Sequence, residues 1–365
     1  MSTALIDLLA GAGAPAPRGG IAWDRVLLVN NVGAVPGDRV AGDLEENRGF
    51  NLVILDDDGG PMLFCKCRPT SAELRDRMAF TARLSRVPEL ADVVPLTWSV
   101  HAETIDAEVS RYIRGDLLER GISSMSGEEL SVVLRDIIDA AATVSRHAAQ
   151  VEPGLLLGPS DVELAGAAPW IGNALLDAGL DDRAWRTLES ALARAGRVPR
   201  ALQHGDLWPR NVLLSDGHWR IIDYEQYGSV QVPLYDALHL VRTSWDARPK
   251  QRNQGGAWID ELRSTGTEGA VYRATLRHAA GLAGLTPDQA AGALVYYVAD
   301  VLGRMQRRRP LPPYATPFLL EARRLAEWIA DGGQLEHIFR ASDTDSPSAL
   351  HPFRAALLHR HDVRA

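Results

Sequence analysis

The chain has 365 residues, 46% of them hydrophobic and 24% charged, which suits a globular protein large enough for two cores. Its formal net charge of -8 argues against a nucleic-acid partner, because phosphate backbones need a basic face. No apolar run approaches the roughly 18 residues of a membrane span, and only two cysteines, Cys65 and Cys67, are present, too few for a disulfide framework.

The N-terminus lacks a basic segment, and Asp7 interrupts its apolar residues, so no signal peptide is expected and a reducing, cytoplasmic setting fits. Residues 11–20 are almost all Gly, Ala and Pro and read as a flexible lead-in. Strand signals begin at Arg25–Val29 and strengthen at Asn51–Leu55. Asp56 to Gly60 follows as a solvated turn, and Met62–Cys67 as the second arm of a hairpin. Alternation puts Cys65 and Cys67 on one face, with Phe64 and Lys66 on the other. Residues 71–86 read as a helix through Leu74, Met78 and Ala82. Two further strands are predicted near 97–101 and 106–113.

Helical patterns dominate the second half. Ser126 and Glu129 form a capping box ahead of Leu130, Val133, Leu134, Ile137, Ile138 and Ala141, which recur at three and four. Trp185, Leu188 and Leu192 mark a second helix, Thr286-Pro287-Asp288-Gln289 starts a third, and Thr316-Pro317 a fourth. Between them, Val212–Leu214, a turn at Asp216-Gly217 and Trp219–Ile222 read as a short hairpin. Arg307–Arg309 reads as a helix C-terminal cap, and His351, His359 and His361 as a polar tail.

The chemistry concentrates in Gln203-His204-Gly205-Asp206-Leu207-Trp208-Pro209-Arg210-Asn211. An Asp followed five residues later by an Asn is the spacing of a kinase catalytic loop, and Asp223 closes an apolar strand twelve residues on. In this pattern Asp206 accepts the proton of an attacking hydroxyl. Asn211 and Asp223 offer hard oxygen ligands to Mg²⁺, which favours one or two carboxylates together with phosphate. His204 reads as structural, bonding backbone rather than substrate. Lys66, set in an apolar strand, is the cation expected to hold nucleotide phosphates; a lysine there needs an anionic partner.

These residues resemble the aminoglycoside phosphotransferase and choline kinase family, the small-molecule branch of the protein-kinase-like fold. The resemblance rests on His204-Gly205-Asp206 to Asn211 and on Ile222-Asp223-Tyr224-Glu225, with weaker matches at Asn51-Leu52-Val53, Lys66, Arg111–Gly115 and Asp236. It implies a two-lobed α+β fold, a small antiparallel β-sheet lobe and a larger helical lobe. The corresponding division is a lead-in at 1–20, a nucleotide lobe at 21–114, a catalytic and substrate lobe at 115–345, and a tail at 346–365. It further implies ATP (or GTP) held by Lys66 and by the hinge at Tyr112 and Ile113, a catalytic Asp206, and Mg²⁺ on Asn211 and Asp223. Asp236 braces the catalytic loop in this scheme. The partners implied are a nucleotide and a small acceptor such as an amino sugar, sugar or amino alcohol.

Two departures stand out. The family's helix after the strand lysine carries a Glu that pairs with it, but Arg77 occupies that place here. Glu73, one turn earlier, is the expected substitute, with Asp76 as a second option. The loop Glu45–Phe50 holds a single glycine. Both leave an alternative standing: a catalytically silent, kinase-like nucleotide-binding protein. A protein kinase is disfavoured by Gly205 in place of Arg and by the absence of an A-P-E element.

Overall fold

A computed structural model describes residues 26–29, 50–101, 103, 105–156, 159–166, 171–177, 179–248, 257–306 and 316–340. The lead-in at 11–20, the loop at 45–49, Arg307–Arg309, His351, His359 and His361 lie outside the described residues. The chain divides into two compact units. The first runs to Gly115 and also takes Gln150–Glu152 and Arg220–Glu225; the second holds the rest. The second of these short segments carries Asp223.

The first unit is built on an antiparallel sheet of β1 (Val26–Val29), β2 (Phe50–Leu55), β3 (Pro61–Pro69), β4 (Thr97–His101) and β5 (Ile105–Arg111), in the order β1-β2-β3-β5-β4. The hairpin turn closes on Asp56, whose Oδ1 accepts from the backbone N–H of Asp58 (3.1 Å) and Gly60 (2.7 Å). A carboxylate that mimics a backbone acceptor is why an Asp opens such a turn. Alternation along β3 holds: Leu63, Cys65 and Cys67 are fully buried with Leu52, Ile54, Trp98, Val100 and Val109. Met62, Phe64, Lys66 and Arg68 are only half-buried. Both thiols are reduced, and burial pushes Cys65 up to about 12 and Cys67 to about 11, so neither is a thiolate near neutral pH. Helix α1 (Ala72–Leu84) packs against β4, burying Met78, Phe80, Ala82 and Leu84. β5 stops at Arg111, two residues short of the predicted end, although Tyr112 N–H still bonds Met62 O at 2.9 Å.

The second unit contains β6 (Asp116–Leu117), α2 (Leu118–Ile122), α3 (Gly127–Val151), β7 (Asp161–Glu163), α4 (Ile171–Asp177), α5 (Asp182–Ala195), β8 (Arg197–Pro199) and β9 (Val212–Ser215). After β10 (His218–Ile221), whose last two residues fall to the first unit, come α6 (Tyr235–Asp246), α7 (Trp258–Arg263), α8 (Thr267–Leu282), α9 (Pro287–Gln306) and α10 (Thr316–Ala330). The predicted capping box at Ser126 forms, and the predicted helix start at Thr286 closes a second one. Ser126 and Glu129 exchange bonds of 2.8 and 3.2 Å, and Thr286 and Gln289 bonds of 3.0 and 3.3 Å. Helix α9 is the core of this unit, with Leu294, Val295, Tyr297, Val298 and Leu302 fully buried against α4, α5 and α10. In the turn between β9 and β10, Asp216 and Gly217 both have positive φ (52° and 77°), as a two-residue primed turn requires. Helix α6 is buried over most of its circumference, whereas α8 buries Tyr272, Thr275, Leu276, Ala279 and Ala280 on one face at spacings of three and four.

Candidate active site

In the first unit the strand alternation that buries Cys65 and Cys67 turns Lys66 to the opposite face. There Lys66 Nζ donates to Asp223 Oδ1 at 2.6 Å and lies 3.5 Å from Glu225 Oε1. Burial disfavours its charge, but Asp223, Glu108 and Glu225 outweigh that and hold the ammonium above its ordinary value. Glu108 is the register partner of Lys66 on β5. Burial, opposed by Lys66 and reinforced by Glu225 and Asp223, pushes the Glu108 carboxyl up to about 7. Asp223 itself sits at φ 67°, a left-handed conformation that costs a non-glycine residue about 1–2 kcal/mol. Strain of this kind persists where the surroundings over-determine it.

Glu73 does not pair with Lys66. It is exposed and bonds Arg77 Nη2 at 2.6 Å, the favoured i, i+4 partner on its own helix. Asp76 is exposed too. Arg77 turns the other way: its Nη1 donates to the backbone carbonyl of Glu225. The Glu225 side chain meets Arg68 Nη2 at 3.4 Å. So α1 braces the turn that carries Asp223, rather than the lysine. Arg77, Glu108 and Arg68 were not assigned from sequence. The one signal for Glu108 was its place in the polar alternation Asp106, Glu108, Ser110 on β5. Tyr112 and Ile113 are half-buried in the link that follows β5.

In the second unit the segment 203–211 is pinned by Asp236 at the start of α6. Its Oδ2 accepts from His204 N–H at 2.6 Å and its Oδ1 from Gly205 N–H at 2.9 Å. Asp236 N–H in turn bonds Gln203 Oε1 at 3.1 Å. Gly205 adopts φ 81°, and a Cβ there would stand 2.8 Å from Gln226 O and 2.9 Å from Ser229 Oγ. Glycine is therefore required twice over, for conformation and for space. Beyond this turn the Asp206 side chain is 43% exposed. Asn211, on a 3₁₀ turn opened by Pro209, donates from Nδ2 to Asp206 O (2.9 Å) and Oδ2 (3.2 Å). His204 is buried with its ring edge-on to Tyr227, a structural position. Tyr224 and Tyr227 are buried packing residues, whereas Trp208 is half-buried beneath Arg210, whose Cζ lies 5.0 Å from the ring centroid.

The motifs thus form two local sets, Lys66 with Asp223 and Glu225, and Asp206 with Asn211. A family model described as the phosphotransferase enzyme family matches residues 42–269, more than half of the chain, and spans both sets. The chain belongs to this family. Solved structures place the phosphotransferase in the kinase-like fold. Choline kinase from Cryptosporidium parvum Iowa II shares 11% identity and a TM-score of 0.53, over 91% of this chain and 97% of that one. Glucosamine kinase in complex with glucosamine, ADP and inorganic phosphate shares 15% and 0.50, covering 84% of each chain. Macrolide 2′-phosphotransferase from Brachybacterium faecium shares 16% and 0.50, over 87% and 97%. A search of curated proteins finds no match.

Asn211 Oδ1 in the second unit and the Asp223 carboxylate in the first are each oxygen donors of the kind Mg²⁺ takes. Among the described residues no three His, Cys, Asp or Glu side chains cluster as a self-sufficient metal cage. Among the described residues no helix is long and apolar enough to cross a membrane.

Proposed function

We propose that this phosphotransferase moves the γ-phosphoryl group of ATP to a hydroxyl of a small acceptor, an amino sugar, sugar or amino alcohol. The observation that carries the reading is the Asp206–Asn211 pair. Its exposed carboxylate is fixed on one side by Asn211 Nδ2, and its preceding backbone is fixed by Asp236. Phosphoryl transfer needs little covalent chemistry from the protein; positioning and charge stabilisation account for most of it. Asp206 orients the acceptor hydroxyl and takes its proton as the new O–P bond forms and the bond from Pγ to the bridging oxygen breaks. ADP leaves with that oxygen. Lys66 binds phosphate oxygens, and Tyr112 and Ile113 contact the base. Asn211 and Asp223 would hold Mg²⁺, which when bound neutralises the β- and γ-phosphate oxygens. Glu73, bonded to Arg77, takes no part in this scheme. The glucosamine kinase solved with glucosamine and ADP, and the choline kinase, support a nucleotide and a small amino-bearing alcohol as the pair of substrates.

ADP release from Mg-ATP across a panel of amino sugars, sugars, aminoglycosides and amino alcohols tests the reading. Transfer to at least one acceptor, lost in Asp206→Asn, is the expected result. The direct Lys66–Asp223 ion pair favours a second reading, a nucleotide-binding protein without turnover, because it occupies the metal carboxylate with a lysine. Calorimetric binding of Mg-ATP with no transfer to any acceptor would leave that reading in place.

A further inference from the structure

His239 was not singled out by any motif, yet the fold delivers it to Asp206. It lies on α6, one turn beyond Tyr235, with its side chain 15% exposed. Its Nε2 is 3.6 Å from Asp206 Oδ1, and its Nδ1 is 3.2 Å from the Tyr297 hydroxyl. The ring stacks on Tyr235 (6.4 Å between centroids, 20° between planes) and meets Tyr297 edge-on (6.0 Å, 66°). Both tyrosines are anchored. Tyr297 is fully buried on α9 and edge-on to Trp258 at 6.3 Å, and Tyr235 O–H donates to the buried Asp300 Oδ2 at 2.9 Å. His239 is thus held by a rigid aromatic wall, with one edge of its ring directed at a carboxylate.

The proton inventory follows from these partners. An imidazole nitrogen facing an ionised carboxylate must carry its hydrogen, or two lone pairs oppose each other. With Nε2–H toward Asp206, neutral His239 has Nδ1 as acceptor, and the Tyr297 O–H is the donor that satisfies it. Burial holds the Tyr297 hydroxyl well above its ordinary value, so it keeps that proton. Asp206 Oδ2 already accepts from Asn211 Nδ2 at 3.2 Å. The two carboxylate oxygens are therefore addressed by two different side chains. A separation of 3.6 Å exceeds a hydrogen bond, and catalytic contacts of this kind shorten in the ligand-bound state.

We propose that His239 is a positioning residue for phosphoryl transfer, its Nε2–H orienting the Asp206 carboxylate from the Oδ1 side while Tyr297 fixes the tautomer. This rests on Asp206 being the base. His239→Ala is expected to lower kcat about 10- to 100-fold, the cost of a reacting group displaced by roughly 1 Å. The KM for Mg-ATP stays within about twofold, since only uniform binding would move it alone. His239→Gln, whose amide nitrogen can stand near the place of Nε2, restores kcat to within a few-fold, and Tyr297→Phe lowers it less than His239→Ala. Wild-type kcat in His239→Ala, or a loss that Gln does not restore, overturns the role. An arm independent of turnover uses ¹⁵N-imidazole NMR on the full chain. The His239 Nε2 resonance shifts between wild type and Asp206→Asn, and an unchanged resonance overturns the contact. If wild type transfers to no acceptor, the kinase reading fails while this second arm still decides the contact.

Discussion

Lys66 and Asp223 form a direct ion pair: Nζ and Oδ1 are 2.6 Å apart across 157 residues of sequence. The pair is partly buried, with side chains 14% and 34% exposed. A nucleotide that binds Lys66 through phosphate, and Asp223 through a metal, must replace this bond with two others. The second carboxylates, Glu225 at 3.5 Å and Glu108 on the neighbouring strand, keep Lys66 compensated when that happens.

Loss of Lys66 should therefore appear in binding. Lys66→Ala is expected to raise the Kd for Mg-ATP by about 10- to 100-fold, the usual worth of a hydrogen bond to a charged group. Isothermal titration measures it, and unchanged affinity would remove Lys66 from the nucleotide site.

Asp206 should show the opposite signature. Asp206→Asn keeps the Asn211 contact nearly isosteric but removes the proton acceptor. Its kcat is expected to fall by about 10²- to 10⁴-fold, with Mg-ATP affinity within a few-fold of wild type. Steady-state rates and titration calorimetry on the same preparation check both halves.

Gly205→Ala tests the backbone. A residue with a Cβ at φ 81° costs about 1–2 kcal/mol, and the contacts at 2.8 and 2.9 Å to Gln226 O and Ser229 Oγ add to it. Urea unfolding should show a loss at least that large. A variant as stable as wild type would mean that the loop relaxes freely, contrary to the two bonds from Asp236.

Asp236 predicts a pH dependence. Burial, partly offset by the N–H groups of His204 and Gly205 and reinforced by Asp206, pushes its carboxyl from near 3.8 up to about 7. Between these values the folded chain keeps a proton that the unfolded chain has lost. This contribution to stability is complete below about 4, falls by up to about 1.4 kcal/mol per pH unit, and is gone above about 7. Glu321, buried beside Arg242, shifts in the same direction. Midpoints of unfolding from pH 4 to 8 should decline, and decline less steeply in Asp236→Asn. Equal slopes in the two proteins would refute the assignment to Asp236.

Much of this was legible locally. The Asp206 to Asn211 spacing, the β3 alternation that separates Lys66 from Cys65 and Cys67, and the capping boxes at Ser126 and Thr286 each depend on residues within a few positions. There backbone geometry sets which atoms meet. Glu73 misled for the same reason. Helical spacing placed it on a usable face, but it also placed Arg77 one turn away, and the nearer cation took it. What the sequence determined by itself was the motif order of the phosphotransferase family and the residue types that carry it, Lys66, Asp206, Asn211 and Asp223. Only the tertiary structure decided who holds whom. Asp223 reaches Lys66, Arg77 braces Glu225 across 148 residues, and His239 and Tyr297, 58 residues apart, converge beside Asp206. Such pairings are selected by packing and by competition among nearby charges, and neither leaves a period or a spacing in the chain.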